Sequence, residues 1–410
     1  MTVYVFATLD TKGMEAQFLR ERLRSLGVDV KLVDTGSLAS SQVRPDVTRE
    51  ELFAAVGNTP AEGRASGTRG EAVMRSAEAA AQFIRNKHVV GDVAGVLGLG
   101  GSAGTLIGTT AMRALPLGVP KLMVSTLASG QTRHYVGEKD ILMLNAVVDI
   151  AGLNRISRTV LDEAARAMAG LVLQPAASSD LGAEVPVVAL TMFGVTTPCV
   201  DQARKIIEAA GYETLVFHAN GMGGRTMESL VRDGLIAGVL DITTTELADE
   251  IVGGLLSAGP DRLTAAGTLA IPQVVSVGAT DMVNFYGLET VPEAFKNRIL
   301  HKHDVHATLM RTTPEENVQI GAEIGRKLAQ ASGPVAIYLP RRGVSRLDAT
   351  GEAFDDPAAR EALFQALRAY ASGVDIIELD QHINDAAFAR AAAERLLQFL
   401  QTSAKQPRSR

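Results

Sequence analysis

Gly98 to Thr105, within the run GVLGLGGSAGT, packs four glycines, a serine and a threonine into eight residues, and residues of this kind suit the holding of a phosphate. Glycine lets a ligand approach the backbone closely, and hydroxyls add donors. Val93 to Leu97 has the apolar continuity of a buried strand, and the residues from about Thr105 read as a helix. The glycines therefore fall where unpaired N–H groups and the positive end of a helix dipole converge. The candidate cradle is this run of four glycines with Ser102 and Thr105. The alternative for the same glycines is close packing of a helix against a strand. In the loop after the first strand stand Asp10, Thr11 and Lys12. Lys12 suits a phosphate charge and Asp10 a Mg²⁺ ion, while Asp10 or Thr11 would equally serve as a helix cap. Ser125 and Thr126 close another strand, in PKLMVSTLASG. No GKS or GKT follows the glycines, so this is not a Walker loop. The first strand-to-helix turn, TLDTKG, also lacks the dinucleotide glycines, leaving Asp34 at the end of the second strand as the one trace of a nicotinamide site.

A second group of reactive side chains lies further on. His218 and Glu228 sit in FHANGMGGRTMESL, Asp241 in LDITTTEL with Glu246 behind it, and Asp281 in GATDMVNF with Asn284. His218, Asp241 and Asp281 fall at predicted strand ends, an arrangement suited to acid–base chemistry or metal binding. Each acid taken alone is as readily a cap or a loop residue. Cys199, in VTTPCVDQARK, is expected near the start of a helix with Thr197 as N-cap and Pro198 at the first position. A helix N-terminus lowers a thiol pKa, whereas burial would make this cysteine structural. His301, His303 and His306 in HKHDVH have a metal-like spacing but no accompanying acidic helix motif, a weak case for zinc.

The elements that must position these residues form a pattern. VYVFAT is a strand too continuous to be half exposed, GMEAQFLRERLRSLG a helix closed by Gly27, and VDVKLVDTG a second strand, together a βαβ unit. GNTPAEGRASGTRG reads as a long polar loop, either a lid able to bring Arg64 and Arg69 onto a ligand or a disordered surface excursion. Arg155 to Leu173 is a helix, and Gln174–Glu184 a linker. Beyond it VPVVALTMFGVTTPCVDQARKIIEAAGYETLVFHANG repeats the opening, AGVLDITTTEL parallels AGVLGLGGSAGT, and PQVVSVGATDM parallels PKLMVSTLASG. The expectation is α/β: two doubly wound, Rossmann-like, mainly parallel-sheet domains related by an internal repeat. Residues 1–176 are assigned to the nucleotide-binding half and 184–410 to the substrate or partner half, with the polar loops facing a shared cleft. Thr313-Pro314-Glu315-Glu316 reads as a capping box opening a helix in the second half.

Composition narrows the function classes. A chain of 410 residues usually exceeds one core, and 46% apolar with 21% charged residues is an ordinary globular balance. A net charge of −6 argues against nucleic acid as a partner. One cysteine excludes an intrachain disulfide, and no apolar run reaches transmembrane length, so neither membrane nor secretion is expected and the cytoplasm is. The KQPRSR end reads as a frayed terminus.

TLDTKG, GLGGSAGT, MVSTLASG, MFGVTTPCV, LDITTTEL and GATDMVNF, in that order over about Thr2 to Leu400, resemble the bacterial relatives of the N-terminal region of the tomato mosaic virus resistance protein, an ATP-binding family of unassigned activity. The resemblance implies ATP with Mg²⁺ in the first half, at Asp10, Thr11, Lys12, the loop residues Gly100, Gly101, Ser102, Gly104 and Thr105, and Ser125 with Thr126, and homodimers. The sequence departs from it in the histidines of HKHDVHATLMRTT. The function expected is that of an ATP-dependent enzyme acting on a small-molecule substrate, with His218, Glu228, Asp241, Asp281 and Cys199 as catalytic candidates. The alternative is a nucleotide-sensing scaffold without turnover.

Overall fold

The computed structural model describes residues 1–36, 39–57, 68–174 and 185–404. The loop carrying Arg64, the linker from residue 175 to 184 and the terminal KQPRSR lie outside the described residues. The chain divides into two compact units, Met1–Gly182 and Ala183–Arg410.

The first unit holds strands β1 (Thr2–Ala7), β2 (Val30–Asp34), β3 (Val93–Gly100), β4 (Lys121–Ser125) and β5 (Leu142–Asn145) in one parallel sheet of order β2-β1-β3-β4-β5. Both faces of β1 are covered, which is why VYVFAT shows no alternation. Val3 and Val5 pack with Leu19, Leu23, Val160 and Leu161 from the helices Gly13–Ser25 and Arg155–Leu173. Tyr4 and Phe6 pack on the opposite face with Phe83, Ile84, Ile107 and Ala111, from the helices Arg69–Val89 and Ser102–Arg113. Because β1 pairs with β2 on one side and β3 on the other, the strand order reverses between β1 and β3. A doubly wound sheet opens its ligand crevice at such a point.

The second unit repeats this plan. Strands β6 (Val187–Met192), β7 (Glu213–His218), β8 (Gly238–Thr243) and β9 (Gln273–Gly278) are followed by β10 (Met282–Phe285), β11 (Leu300–Lys302) and β12 (Thr308–Arg311), then by β13 (Val335–Pro340) and β14 (Asp375–Leu379). The parallel sheet has the order β14-β13-β9-β8-β6-β7, so its first strand again lies between its second and third. Both units are thus mainly parallel and Rossmann-like, as the repeat in sequence implies. The small antiparallel sheet β10-β12-β11 is an insertion with no counterpart among the described residues of the first unit. HKHDVH forms its hairpin, where strands of three and four residues leave too little periodicity to read.

The glycine stretch differs from its expected form. β3 runs on to Gly100 and the next helix starts at Ser102, so Gly101 alone separates them. The neighbouring glycines are there for packing. A Cβ on Gly98 would overlap the sulfur of Met123, one on Gly100 would lie 2.7 Å from the Cα of Gly104, and one on Gly108 would lie 2.9 Å from the Met123 sulfur. Helix and strand approach too closely for side chains between them.

Candidate functional site

At the carboxyl edge of the first sheet, Thr8–Lys12 leave β1 and Gly101–Gly104 leave β3, on the two sides of the reversal point. Gly101 is extended (φ −79°, ψ −155°) and gives the helix Ser102–Arg113 no side-chain cap. The first amides of a helix have no acceptor within it, so those of Ser102, Ala103 and Gly104 point out of the helix end. Thr48, Thr68, Asn154 and Thr313 each begin a full capping box, whereas the helices Gly13–Ser25, Thr197–Ala209, Met222–Arg232 and Thr245–Val252 also start without a side-chain hydrogen bond from the N-cap residue. A Cβ on Gly101 would come no nearer than 3.7 Å to any neighbour, the Thr126 hydroxyl, which leaves room above the amides. Thr8 and Thr11 pair their exposed hydroxyls at 2.9 Å.

The other first-unit candidates are placed differently. Thr105 and Ser125 are fully buried and bond each other at 2.7 Å, bracing the helix on β4. Lys12 Nζ donates to the carbonyl of Ile150. Asp10 accepts the Ala39 amide at 3.2 Å and lies 3.7 Å from the Arg49 guanidinium. Arg49 Nε in turn donates to Asp34 at 2.7 Å, and Asp34 also accepts the amides of Leu9 and Gly36 and the Ser41 hydroxyl. The carboxylate in the ribose-binding position is therefore filled by the chain's own donors. Gly36 is required here, since a Cβ would sit 2.6 Å from both Arg49 Nη2 and the Asp10 carboxyl carbon.

In the second unit Arg262 decides the fate of the acidic candidates, and nothing in its sequence context singles it out. It is fully buried, with Nη1 and Nη2 at 2.5 and 2.8 Å from the two oxygens of Asp241 and Nε 2.7 Å from Glu246. Glu228 lies 3.7 Å away and accepts the amides of Leu263 and Ala265 at 2.6 and 2.8 Å. Burial alone would lower the Arg262 pKa, but Asp241, Glu246 and Glu228 hold it well above its ordinary value. Glu246 also accepts the amides of Gly221 and Gly224 at 2.7 and 3.0 Å, filling the N-terminus of the helix Met222–Arg232 as a phosphate would. A Cβ on Gly224 would overlap that carboxylate, and one on Gly223 the His218 carbonyl. The glycines of FHANGMGG thus admit the chain's own anion.

Asp281 is 1% exposed. Its Oδ2 accepts the Ser345 hydroxyl at 2.7 Å, and its Oδ1 has no hydrogen-bond partner among the described residues. Burial raises its pKa, Asp348 adds to the rise and Arg311 opposes it, so this carboxyl is suited to holding a proton. Ala279, two residues before Asp281, has a φ of 58°, a left-handed conformation that non-glycine residues rarely adopt. His218 packs edge-on against Phe193, centroids 5.1 Å apart, and burial lowers its pKa while Glu246 raises it. Among the described residues His218, Asp241 and Asp281 share no hydrogen bond or ion pair, and no three His, Cys, Asp or Glu are grouped to hold a metal. His301 instead stacks edge-on with Phe354, centroids 6.1 Å apart.

The helix Thr197–Ala209 starts one residue earlier than expected, with Thr196 as N-cap, and Asn384 receives the Cys199 amide at 3.4 Å. The thiol is 1% exposed among Val188, Leu190 and Phe388, and burial pushes its pKa up to about 12. Desolvation outweighs the helix dipole, the opposite balance to that of an activated thiol. Asp249, which the sequence did not mark, is likewise raised by burial, to about 7, although it accepts the backbone and side-chain N–H groups of Asn284.

The model described as "Uncharacterised protein family (UPF0261) N-terminal domain" matches residues 1–177, and that of the C-terminal domain of the same family residues 185–400. A UPF0261 protein of Clostridium tetani is 46% identical over 97% of this chain and 99% of its own. The ToMV resistance protein Tm-1(GCR237) of Solanum lycopersicum is 41% identical over 97% of this chain and 55% of its own. Among solved structures, a UDP-N-acetylglucosamine 2-epimerase aligns over 99% of this chain and 98% of its own, at 12% identity and a TM-score of 0.25. No helix among the described residues is long and apolar enough to cross a membrane.

Proposed function

We propose that this chain, which belongs to the uncharacterised protein family UPF0261, binds ATP with Mg²⁺ through its first unit, the polyphosphate resting on the amides of Ser102, Ala103 and Gly104. The observation that carries this reading is the start of that helix at the strand-order reversal, where Gly101 supplies no side-chain cap and a Cβ on it would meet nothing nearer than 3.7 Å. Gly101 leaves space for the phosphate, and the hydroxyls of Thr8, Thr11 and Thr126 supply further donors. Thr105 and Ser125 would act from beneath, holding the helix in place. Asp10 does not fit as the Mg²⁺ ligand, because the Arg49 guanidinium already faces it. The cation would arrive coordinated by the nucleotide's own phosphates. We further propose a cytoplasmic homodimer.

ATP-dependent turnover of a small metabolite remains the leading activity, with Asp281 and His218 as its acid–base candidates. A nucleotide sensor without turnover is the second reading, favoured by the saturation of Asp241, Glu228 and Glu246 around Arg262. Calorimetric titration with ATP, with and without Mg²⁺, tests the binding. Saturable 1:1 heat and a rise in melting temperature at about 1 mM nucleotide are expected; neither effect at that concentration overturns the reading. Turnover with a panel of small carboxylic acids and sugars separates enzyme from sensor.

A further inference from the structure

The loop 341–348 leaves β13 and crosses the carboxyl edge of the second sheet. At its start the amides of Arg341 and Arg342 donate to the carbonyls of Leu379 and Gln381, at the end of β14, at 2.9 and 3.0 Å. Midway the Val344 carbonyl accepts the Ala279 amide at 2.9 Å, just past β9, and further on the Arg346 amide reaches the Val195 carbonyl, past β6, at 3.1 Å. From β13 to β6 is three strand spacings, roughly 14 Å. A buried framework fixes this crossing. Asp348 Oδ2 accepts the Val344 amide at 2.9 Å and Arg360 Nη1 at 2.7 Å, and its Oδ1 accepts Arg311 Nη2 at 3.1 Å. Ser345 donates its hydroxyl to Asp281, and its carbonyl accepts His382 Nε2–H at 2.8 Å. Gly343, Val344, Ser345, Leu347 and Asp348 are buried, whereas Arg341, Arg342 and Arg346 are exposed. The charges that set the backbone therefore lie underneath, and the residues left outside are arginines. Arg342 already holds an anion there, with Nε and Nη2 at 3.0 and 2.8 Å from the two oxygens of Asp380. The side chains of Arg341 and Arg346 make no hydrogen bond or ion pair among the described residues. Of the neighbouring acids, Asp380 is taken by Arg342, and Asp385 accepts the His382 amide at 2.8 Å.

Doubly wound sheets bind ligands beyond these strand ends, and a guanidinium fork matches carboxylate and phosphate oxygens. We infer that the outer face of loop 341–348 binds an anionic group of a small molecule, carboxylate or phosphate, through Arg346 and Arg341. The inference deepens the enzyme reading above by giving the substrate its charge, and rests on that reading for its role. It is tested by calorimetric titration of the full chain carrying Gly101→Asp, whose aspartate would occupy the amides in the first unit, with pyrophosphate and, separately, with citrate. Saturable binding of at least one is expected, and the tighter of the two identifies the group. Adding Arg341→Met and Arg346→Met should weaken that binding at least about tenfold. Arg326→Met, which removes an exposed arginine from the helix Pro314–Ala329, should leave it within about twofold. Asp380→Asn frees Arg342 and should tighten it. All four positions are exposed, so an unchanged melting temperature reports that the variants are folded. No binding of either probe to the Gly101→Asp chain, or equal weakening by Arg326→Met, overturns the inference. Binding that depends on Arg346 and Arg341, without turnover of any carboxylated or phosphorylated compound, overturns the enzyme reading and leaves the anion site standing.

Discussion

Gly101→Asp should move stability and ligand binding in opposite directions, which makes it the most discriminating substitution in the first unit. The backbone of Gly101 is one that an L-residue adopts without strain, and the nearest atom to a new Cβ is 3.7 Å away. An aspartate there would take the N-cap position and accept the amides of Ala103 or Gly104. Replacing a glycine cap by aspartate is worth a few tenths of a kcal/mol, and a negative charge at the N-terminal end of the dipole adds about 0.3–1 kcal/mol. The sum, about 0.5–1.3 kcal/mol, corresponds to a rise of about 1–5 °C in melting temperature for a unit of this size. The same carboxylate would occupy the donors that a phosphate needs. Losing two charge-assisted hydrogen bonds, at about 1.5–3 kcal/mol each, weakens ATP by a factor of about 100 or more. Differential scanning calorimetry reads the first effect and titration calorimetry the second. A folded, stabilised variant that binds ATP within about threefold of wild type would refute the phosphate position.

Arg262→Met leaves the fully buried Asp241 and Glu246 without their cation, and urea denaturation should register a loss of about 3–5 kcal/mol. Asp249, raised by burial to about 7, binds a proton in the folded chain that the unfolded chain releases near its ordinary value of 3.8. Its contribution is complete below about pH 4 and is lost as the pH rises through about 7. The urea midpoint should fall across that window, and Asp249→Asn should flatten the slope. Cys199 should resist a thiol reagent at pH 8 in the native protein, reacting at least about a hundredfold faster once denatured, because burial keeps it protonated. Rapid native labelling would contradict its placement in the core.

Residues whose structural role is local were legible from the chain. The Thr313 capping box with its following proline and the helix Arg155–Leu173 depend on neighbours a few positions away, and both form as the spacing predicts. The repeat was legible for a related reason, since two stretches with the same pattern of strand, turn and helix build sheets with the same strand order. The candidate site was legible only in outline. Its loops lie at the carboxyl edges expected of the fold, but which side chains stay available there depends on partners far along the chain: Arg49 for Asp10 and Asp34, Ile150 for Lys12, and Glu246 for the second glycine loop.

Apolar periodicity and glycine placement act through near neighbours and repeat along the chain, so the class of fold is readable from the residues alone. Which glycines serve packing, which leaves a helix end open and which carboxylates are already paired follow from the folded contacts. Gly98 and Gly101 belong to one motif, yet a Cβ on the first would overlap Met123 while one on the second would come no nearer than 3.7 Å to the Thr126 hydroxyl. Asp241 and Asp281 both follow predicted strands, yet one is neutralised by Arg262 and the other keeps an oxygen free of any hydrogen-bond partner among the described residues. Ion pairing and close packing are made between residues distant in sequence, so their outcome is written in the folded contacts and not in any local spacing.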